Sequence, residues 1–157
     1  MVRLLLILSA ALCWVPAHAQ HSELVGEWML NSFIVESLQT KERRNVFGEK
    51  PAGYLVITSE RLITVVTAEG RRPPQTDEDR ASGFRTLLAY TGLYRIEGNR
   101  LITKVDVAWN ESWRGTDQTR LFHLERDKLF LQTAPAPSVT APEMGVVQAT
   151  LEWKRLK

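Results

Sequence analysis

Cysteine is nearly missing: Cys13 is the single one in 157 residues, and it lies within an apolar N-terminal run. Everything after that run is therefore without a disulfide framework and without a thiol nucleophile. Histidine is scarce as well. His18, His21 and His123 are the three, with no H-x-x-x-H spacing among them, so no metal centre is expected and no cofactor is implied. His21 and His123 are about a hundred residues apart. The chain has no G-x-S-x-G nucleophile elbow and no glycine-rich loop of the kind that cradles phosphates. It also lacks a charge excess: 20 Lys and Arg stand against 18 Asp and Glu. A nucleic-acid partner, which would call for a basic surface, is thus not suggested.

The longest apolar run is Leu4 to Val15, preceded by Arg3 and followed by Pro16 and Ala17-His18-Ala19. It is shorter than the roughly 20 residues a spanning helix needs, and a positive start with an A-x-A end is the form of a cleavable signal peptide. The reading is a signal peptide over 1–19, cleaved after Ala19, and a single domain over 20–157 with no transmembrane segment, periplasmic or secreted. Cys13 follows Leu12, where a lipobox would place a small residue, so lipidation is not expected. Arg3 leaves with the leader, so 19 basic residues face 18 acidic ones, a formal charge of +1.

What the mature chain does have is alternation. Runs of period two, separated by turn residues, mark half-buried strands. Eight can be traced: Trp28 to Glu36, Gly53 to Thr58, Arg61 to Thr67, Ala89 to Ile96, Arg100 to Trp109, Asp117 to Leu124, Lys128 to Thr133 and Val146 to Trp153. Ser59-Glu60, Glu97-Gly98-Asn99 and Glu125-Arg126-Asp127 read as the turns of three hairpins. Two stretches interrupt the pattern. Loop 68–80 carries Arg71-Arg72-Pro73-Pro74 and leads to Thr76-Asp77-Glu78-Asp79, an N-cap with acids in the first turn, ahead of Ala81, Phe84, Leu87 and Leu88 at helical spacing. This predicts one short amphipathic helix between strands 3 and 4 of the eight, acting either as a lid over one end or as a plug in the other. Loop 134–145 holds Pro135, Pro137 and Pro142. The class is all-β. Eight antiparallel strands joined mainly by hairpins form either a sandwich or a barrel, and the pattern by itself does not choose.

Gly26-Glu27-Trp28 opening the first run is similar to the G-x-W signature of lipocalins. With Phe47-Gly48, Pro51-Ala52-Gly53-Tyr54-Leu55, Tyr90-Thr91-Gly92-Leu93-Tyr94 and Asn110 to Gln118, the chain from about Leu24 to Trp153 resembles the bacterial and fungal lipocalin-like domain family. That resemblance implies an eight-stranded antiparallel up-and-down barrel of the calycin type with one open mouth. It also implies that Trp28 packs across the closed end with a basic residue, Arg155, over its ring. No reaction comes with it. Relatives often carry histidine where this chain has Thr103-Lys104, so no imidazole role transfers.

Strand phase supplies the candidate site. Tyr90, Gly92 and Tyr94 share one face of the fourth run, Lys104 and Asp106 one face of the fifth, and Gln118, Arg120 and Phe122 one face of the sixth. Turned inward, they make a polar and aromatic pocket in which Arg120 grips an anionic head group and tyrosines line an apolar tail. Turned outward, they are a solvated face, and the opposite side of the fifth run (Leu101, Val105, Val107, Trp109) is the more apolar one. A register slip of one residue exchanges the two. The leading expectation is an exported protein binding a small hydrophobic or amphipathic, anionic ligand. An isomerase, cyclase or lyase using Lys104 or Asp106 as acid or base is the alternative, and it requires those groups to be buried. A loop-mediated protein-binding or inhibitor module working through 68–80 and 134–145 is a third.

Overall fold

A computed structural model describes residues 22–138 and 141–157. The predicted signal peptide, Cys13 and His21 lie outside the described residues. Among those described, no helix is long and apolar enough to cross a membrane.

The described residues form ten strands: β1 (Gly26–Ser37), β2 (Arg43–Arg44), β3 (Ala52–Ile57), β4 (Arg61–Thr67), β5 (Leu87–Glu97), β6 (Arg100–Ala108), β7 (Asp117–Glu125), β8 (Lys128–Thr133), β9 (Ala136–Pro137) and β10 (Val146–Arg155). Helix α1 (Asp77–Arg85) stands between β4 and β5. β2 and β9 are two-residue additions on the margins of β1 and β10. The remaining eight strands close on themselves in the order β1, β3, β4, β5, β6, β7, β8, β10, with β10 pairing back to β1 from Arg155 opposite Trp28 to Val147 opposite Ser37. This is the eight-stranded antiparallel up-and-down barrel, and closure removes the exposed sheet edge that a sandwich would leave. The short helix falls where the turn chemistry placed it, after the third of the eight barrel strands.

All three predicted hairpins are present, and their shortness makes one end of the barrel tight. β3 turns into β4 through Thr58 to Glu60, with the Thr58 N–H donating to the Arg61 carbonyl at 2.9 Å. The Gly98 and Arg126 turns adopt positive φ, 59° and 54°. Trp28, Ile57, Leu62, Leu101, Leu129 and Trp153 fill this end, none more than 1% exposed. Leu24, in a helical turn at 22–24, closes it from below and accepts the Trp28 indole N–H at 3.0 Å. The Arg155 guanidinium lies 4.0 Å from the centre of the Trp28 ring and also donates to the carbonyls of Val25 and Glu23. Gly26 makes that cover possible: at φ +144° it takes a conformation few side chains tolerate, and a Cβ there would sit 2.6 Å from Nη1 of Arg155. We call this end the floor.

The opposite end is the mouth. There the long connections gather: the α1 segment, the turn at Glu111–Trp113, and the proline-rich stretch after β8. Helix α1 is capped by a reciprocal box in which the Thr76 hydroxyl accepts from the Asp79 N–H while the Asp79 carboxylate accepts from Thr76. It is shorter than predicted. Leu87 and Leu88 belong to β5, so the helix loses half its apolar positions and has no buried residue.

Candidate functional site

Between floor and mouth the barrel encloses a cavity of about 450 Å³. Its size falls within the range of sites for small organic molecules. Aliphatic walls come from inward positions of β1, β3, β8 and β10, such as Val35, Leu55, Leu131 and Leu151, and Trp153 borders it at the floor side. Toward the mouth the lining turns aromatic. Phe33 stacks on Phe47 with centroids 4.7 Å apart, and Tyr90 meets Trp113 edge-on at 5.5 Å, which in turn meets Trp109 at 4.9 Å. Such edge contacts fix ring orientation as well as burying area. Phe84 of α1 borders the same opening, 50% exposed, 6.1 Å from the Trp109 ring, and its carbonyl accepts the Trp109 indole N–H at 3.2 Å. The helix therefore sits at the mouth, not beneath the floor.

Arg120 brings charge into this apolar setting. It projects from β7 with its guanidinium carbon 6.0 Å from the Tyr90 ring centre and 5.6 Å from that of Trp113. Its polar partners are neutral: Nη1 donates to the Thr119 carbonyl at 2.9 Å, and both terminal nitrogens reach Oε1 of Gln118 at 3.4 Å. Other charged groups on the lining are already paired, Asp117 with Arg95 at 3.1 Å and Arg85 with Glu78 at 2.7 Å. Among the described residues no carboxylate pairs with Arg120.

The predicted site residues divide into three groups. Tyr90, Gln118 and Arg120 border the cavity. Tyr94 and Phe122 share the inward phase but lie nearer the floor, packed against the core. The Tyr94 hydroxyl donates to the Thr58 carbonyl at 2.8 Å, and burial pushes its pKa above the ordinary tyrosine value. Lys104 and Asp106 point the other way. Their side chains are 62% and 46% exposed on the outer face, where Lys104 donates to the Gly115 carbonyl at 2.7 Å and Asp106 pairs with Arg61 at 2.7 Å. The phase assigned to the fifth run was thus one residue off. Thr103, not Lys104, stands inward between Tyr94 and Gln118. Neither Lys104 nor Asp106 meets the burial that an acid or base role in the barrel requires.

The cause is a bulge. Thr91 pairs with Val107 but Gly92 with Val105, leaving Asp106 as the extra residue. Beyond it the alternation flips, so Leu101 and Val105 face in while Val107, which appeared to share their face, is 63% exposed. Gly92 allows the close approach at this point: a Cβ there would meet the Lys104 carbonyl oxygen at 2.0 Å. The flip also carries the chain toward Trp109 and Trp113, cavity residues next to Arg120 and Tyr90 that strand phase did not find. Their signal in the sequence was the Asn110-Glu111-Ser112 turn between them, which here is a tight turn with the Asn110 side chain accepting from the Ser112 N–H at 3.1 Å.

Comparison with known proteins agrees with this geometry. The sequence profile described as a lipocalin-like domain matches residues 25–156. A curated protein of Aspergillus oryzae, named as a 4'-hydroxy-3'-methoxypropiophenone carrier protein, is 29% identical over 89 residues, which cover 52% of this chain and 78% of the relative.

Proposed function

Starting from the chain's membership of the lipocalin-like domain family, we propose that it is an exported binding protein that holds a small, largely apolar, anionic molecule in the barrel cavity. The observation that carries this reading is Arg120: a cation in an aromatic-lined cavity whose hydrogen-bond partners among the described residues are neutral. Desolvating a charge is costly unless a counter-charge meets it, so a bound carboxylate or sulfonate is the natural complement, and the guanidinium fork matches its two oxygens. The Aspergillus relative, named for the aryl ketone it carries, supports a small aromatic cargo. Export rests on the leader: cleavage after Ala19 would deliver the barrel to the periplasm or the medium, where it would carry or sequester its ligand.

The test is titration with 8-anilinonaphthalene-1-sulfonate, an apolar aromatic anion, followed by quenching of the tryptophans around the cavity. Saturable one-to-one binding is expected, and R120Q should weaken it about tenfold or more, the range for losing a charge-assisted contact. Equal affinity in R120Q, or no saturation, would contradict the reading. Fractionation of the native host with sequencing of the mature N-terminus tests export.

A further inference from the structure

Of the side chains that β1, β3, β4 and β5 contribute to the described cavity wall, Thr64 and Tyr90 alone carry a polar group. They are neighbours, since Thr64 pairs with Tyr90 on one side and with Leu55 on the other. Both point inward and are buried, 4% and 7% exposed. Along β4 the inward positions flanking Thr64 are Leu62 and Val66, neither of them exposed at all. Valine has nearly the shape of threonine and suits a strand equally well, so packing gives no reason for a hydroxyl at this position. Neither hydroxyl has a hydrogen-bond partner among the described residues. Neither is sealed within protein either: the buried side-chain polar atom there that lacks both partner and access is Nε1 of Trp153. Inside a closed barrel the open space beside inward residues is the cavity, and both residues line it.

Buried polar groups in folded proteins are normally hydrogen-bonded, and two adjacent ones left open to a cavity call for a ligand atom that completes them. We propose that Thr64 and Tyr90 form a hydroxyl subsite that takes a hydroxyl group of the ligand while Arg120 holds its acid group. A ligand hydroxyl both donates and accepts, as do the two protein hydroxyls, so it matches them in either sense. The proposal rests on the anion site argued above, and it specifies the ligand as a hydroxylated aryl acid. Tyr90 connects the two parts of the site: Thr64 lies opposite it on β4, and the Arg120 guanidinium carbon is 6.0 Å from its ring centre. The aryl body follows from the edge-to-face cluster of Tyr90, Trp113 and Trp109, whose ring faces and edges suit a flat aromatic partner.

Matched probes test this. 3-Hydroxyphenylacetate and 4-hydroxyphenylacetate carry the acid and a hydroxyl at two placements; 3-methylphenylacetate and 4-methylphenylacetate have nearly the same shapes without the hydroxyl. Calorimetric titration gives the ratio of hydroxyl to methyl affinity, and comparing that ratio between variants cancels the cost of desolvating the probe. For at least one placement the ratio should fall about fivefold in T64V and in Y90F, the effect of one net hydrogen bond. T64S, which keeps the hydroxyl, should keep the ratio. Because the Thr64 hydroxyl has no protein partner, T64V should also melt at or above the wild-type temperature. A clear drop in its Tm would reveal a structural partner and overturn the proposal. An unchanged ratio in either T64V or Y90F, with all four probes still weakened by R120Q, would overturn the hydroxyl subsite while leaving the anion site standing. Failure of the four probes and of the anilinonaphthalene sulfonate to saturate would remove the anion site, and this inference with it.

Discussion

The floor and the mouth of the barrel are built from the same eight strands, yet they are organised by opposite rules. At the floor, tight turns bring Trp28, Ile57, Leu62, Leu101 and Leu129 together, each at most 1% exposed, and Arg155 lies over an indole and donates to backbone carbonyls. At the mouth the connections are long, the aromatic rings are partly open, α1 has no buried residue, and among the described residues no carboxylate pairs with Arg120. Two arginines over tryptophan rings thus have different roles. Arg155 ties the closed end together, over the Trp28 ring and onto two backbone carbonyls, whereas Arg120 borders the cavity with neutral partners. A closed end that carries the stability permits an open end that is not optimised for it.

That contrast is best broken first at Trp28. W28A should destabilise the protein by about 3–5 kcal/mol, the usual cost of removing a fully buried large aromatic, measured by urea unfolding; a loss under about 1 kcal/mol would mean the floor is not the main source of stability. Gly92 lies at the boundary between the two regions. G92A should cost about 1–3 kcal/mol, since its Cβ meets backbone that cannot move without shifting β6. It should also alter Trp109 and Trp113 fluorescence, because the bulge sets where those rings point. R155Q should remove a cation–π contact and weaken the tie to Val25 and Glu23, for about 1–2 kcal/mol, with little change in ligand affinity.

The smallest effect belongs to the mouth. Asp79 is held below the ordinary aspartate pKa of 3.8, first by the Gln75 N–H and then by the hydroxyl and N–H of Thr76. A depressed carboxylate contributes stability that is present above its ordinary value and is lost as pH falls through the value in the folded state. Acidification below 3.8 should therefore loosen α1 ahead of the barrel. A red shift of Trp109 emission would precede the main unfolding transition, and D79N should show it at neutral pH.

Most of the fold was legible because alternation leaves a direct trace in sequence and the hairpin turns, the Thr76 cap and the G-x-W opening all carry local chemistry, whereas closure into a barrel followed only from the family resemblance. The site was legible in part. Tyr90, Gln118 and Arg120 lie in strands whose period is unbroken across the cavity, so their phase could be read. Lys104 and Asp106 lie beside a bulge, where one extra residue exchanges inside for outside, and the glycine that permits it is on the neighbouring strand. Trp109 and Trp113 were missed for the same reason, since they follow the bulge and a turn, where period two no longer applies. Leu87 and Leu88 fit helical spacing and strand alike, and pairing with β4 decided for the strand.

The division of labour between floor and mouth is tested most directly by thermal unfolding of wild type, R155Q and R120Q, each with and without saturating 8-anilinonaphthalene-1-sulfonate. Ligand that binds only the folded state raises Tm by an amount set by its affinity. R155Q should melt lower than wild type without ligand but gain the same ligand-induced rise, while R120Q should melt at the wild-type temperature and lose most of that rise. If R120Q keeps the full rise, or if R155Q loses it to the same extent, then the anion is not held at Arg120 and the two ends of the barrel do not have separate roles.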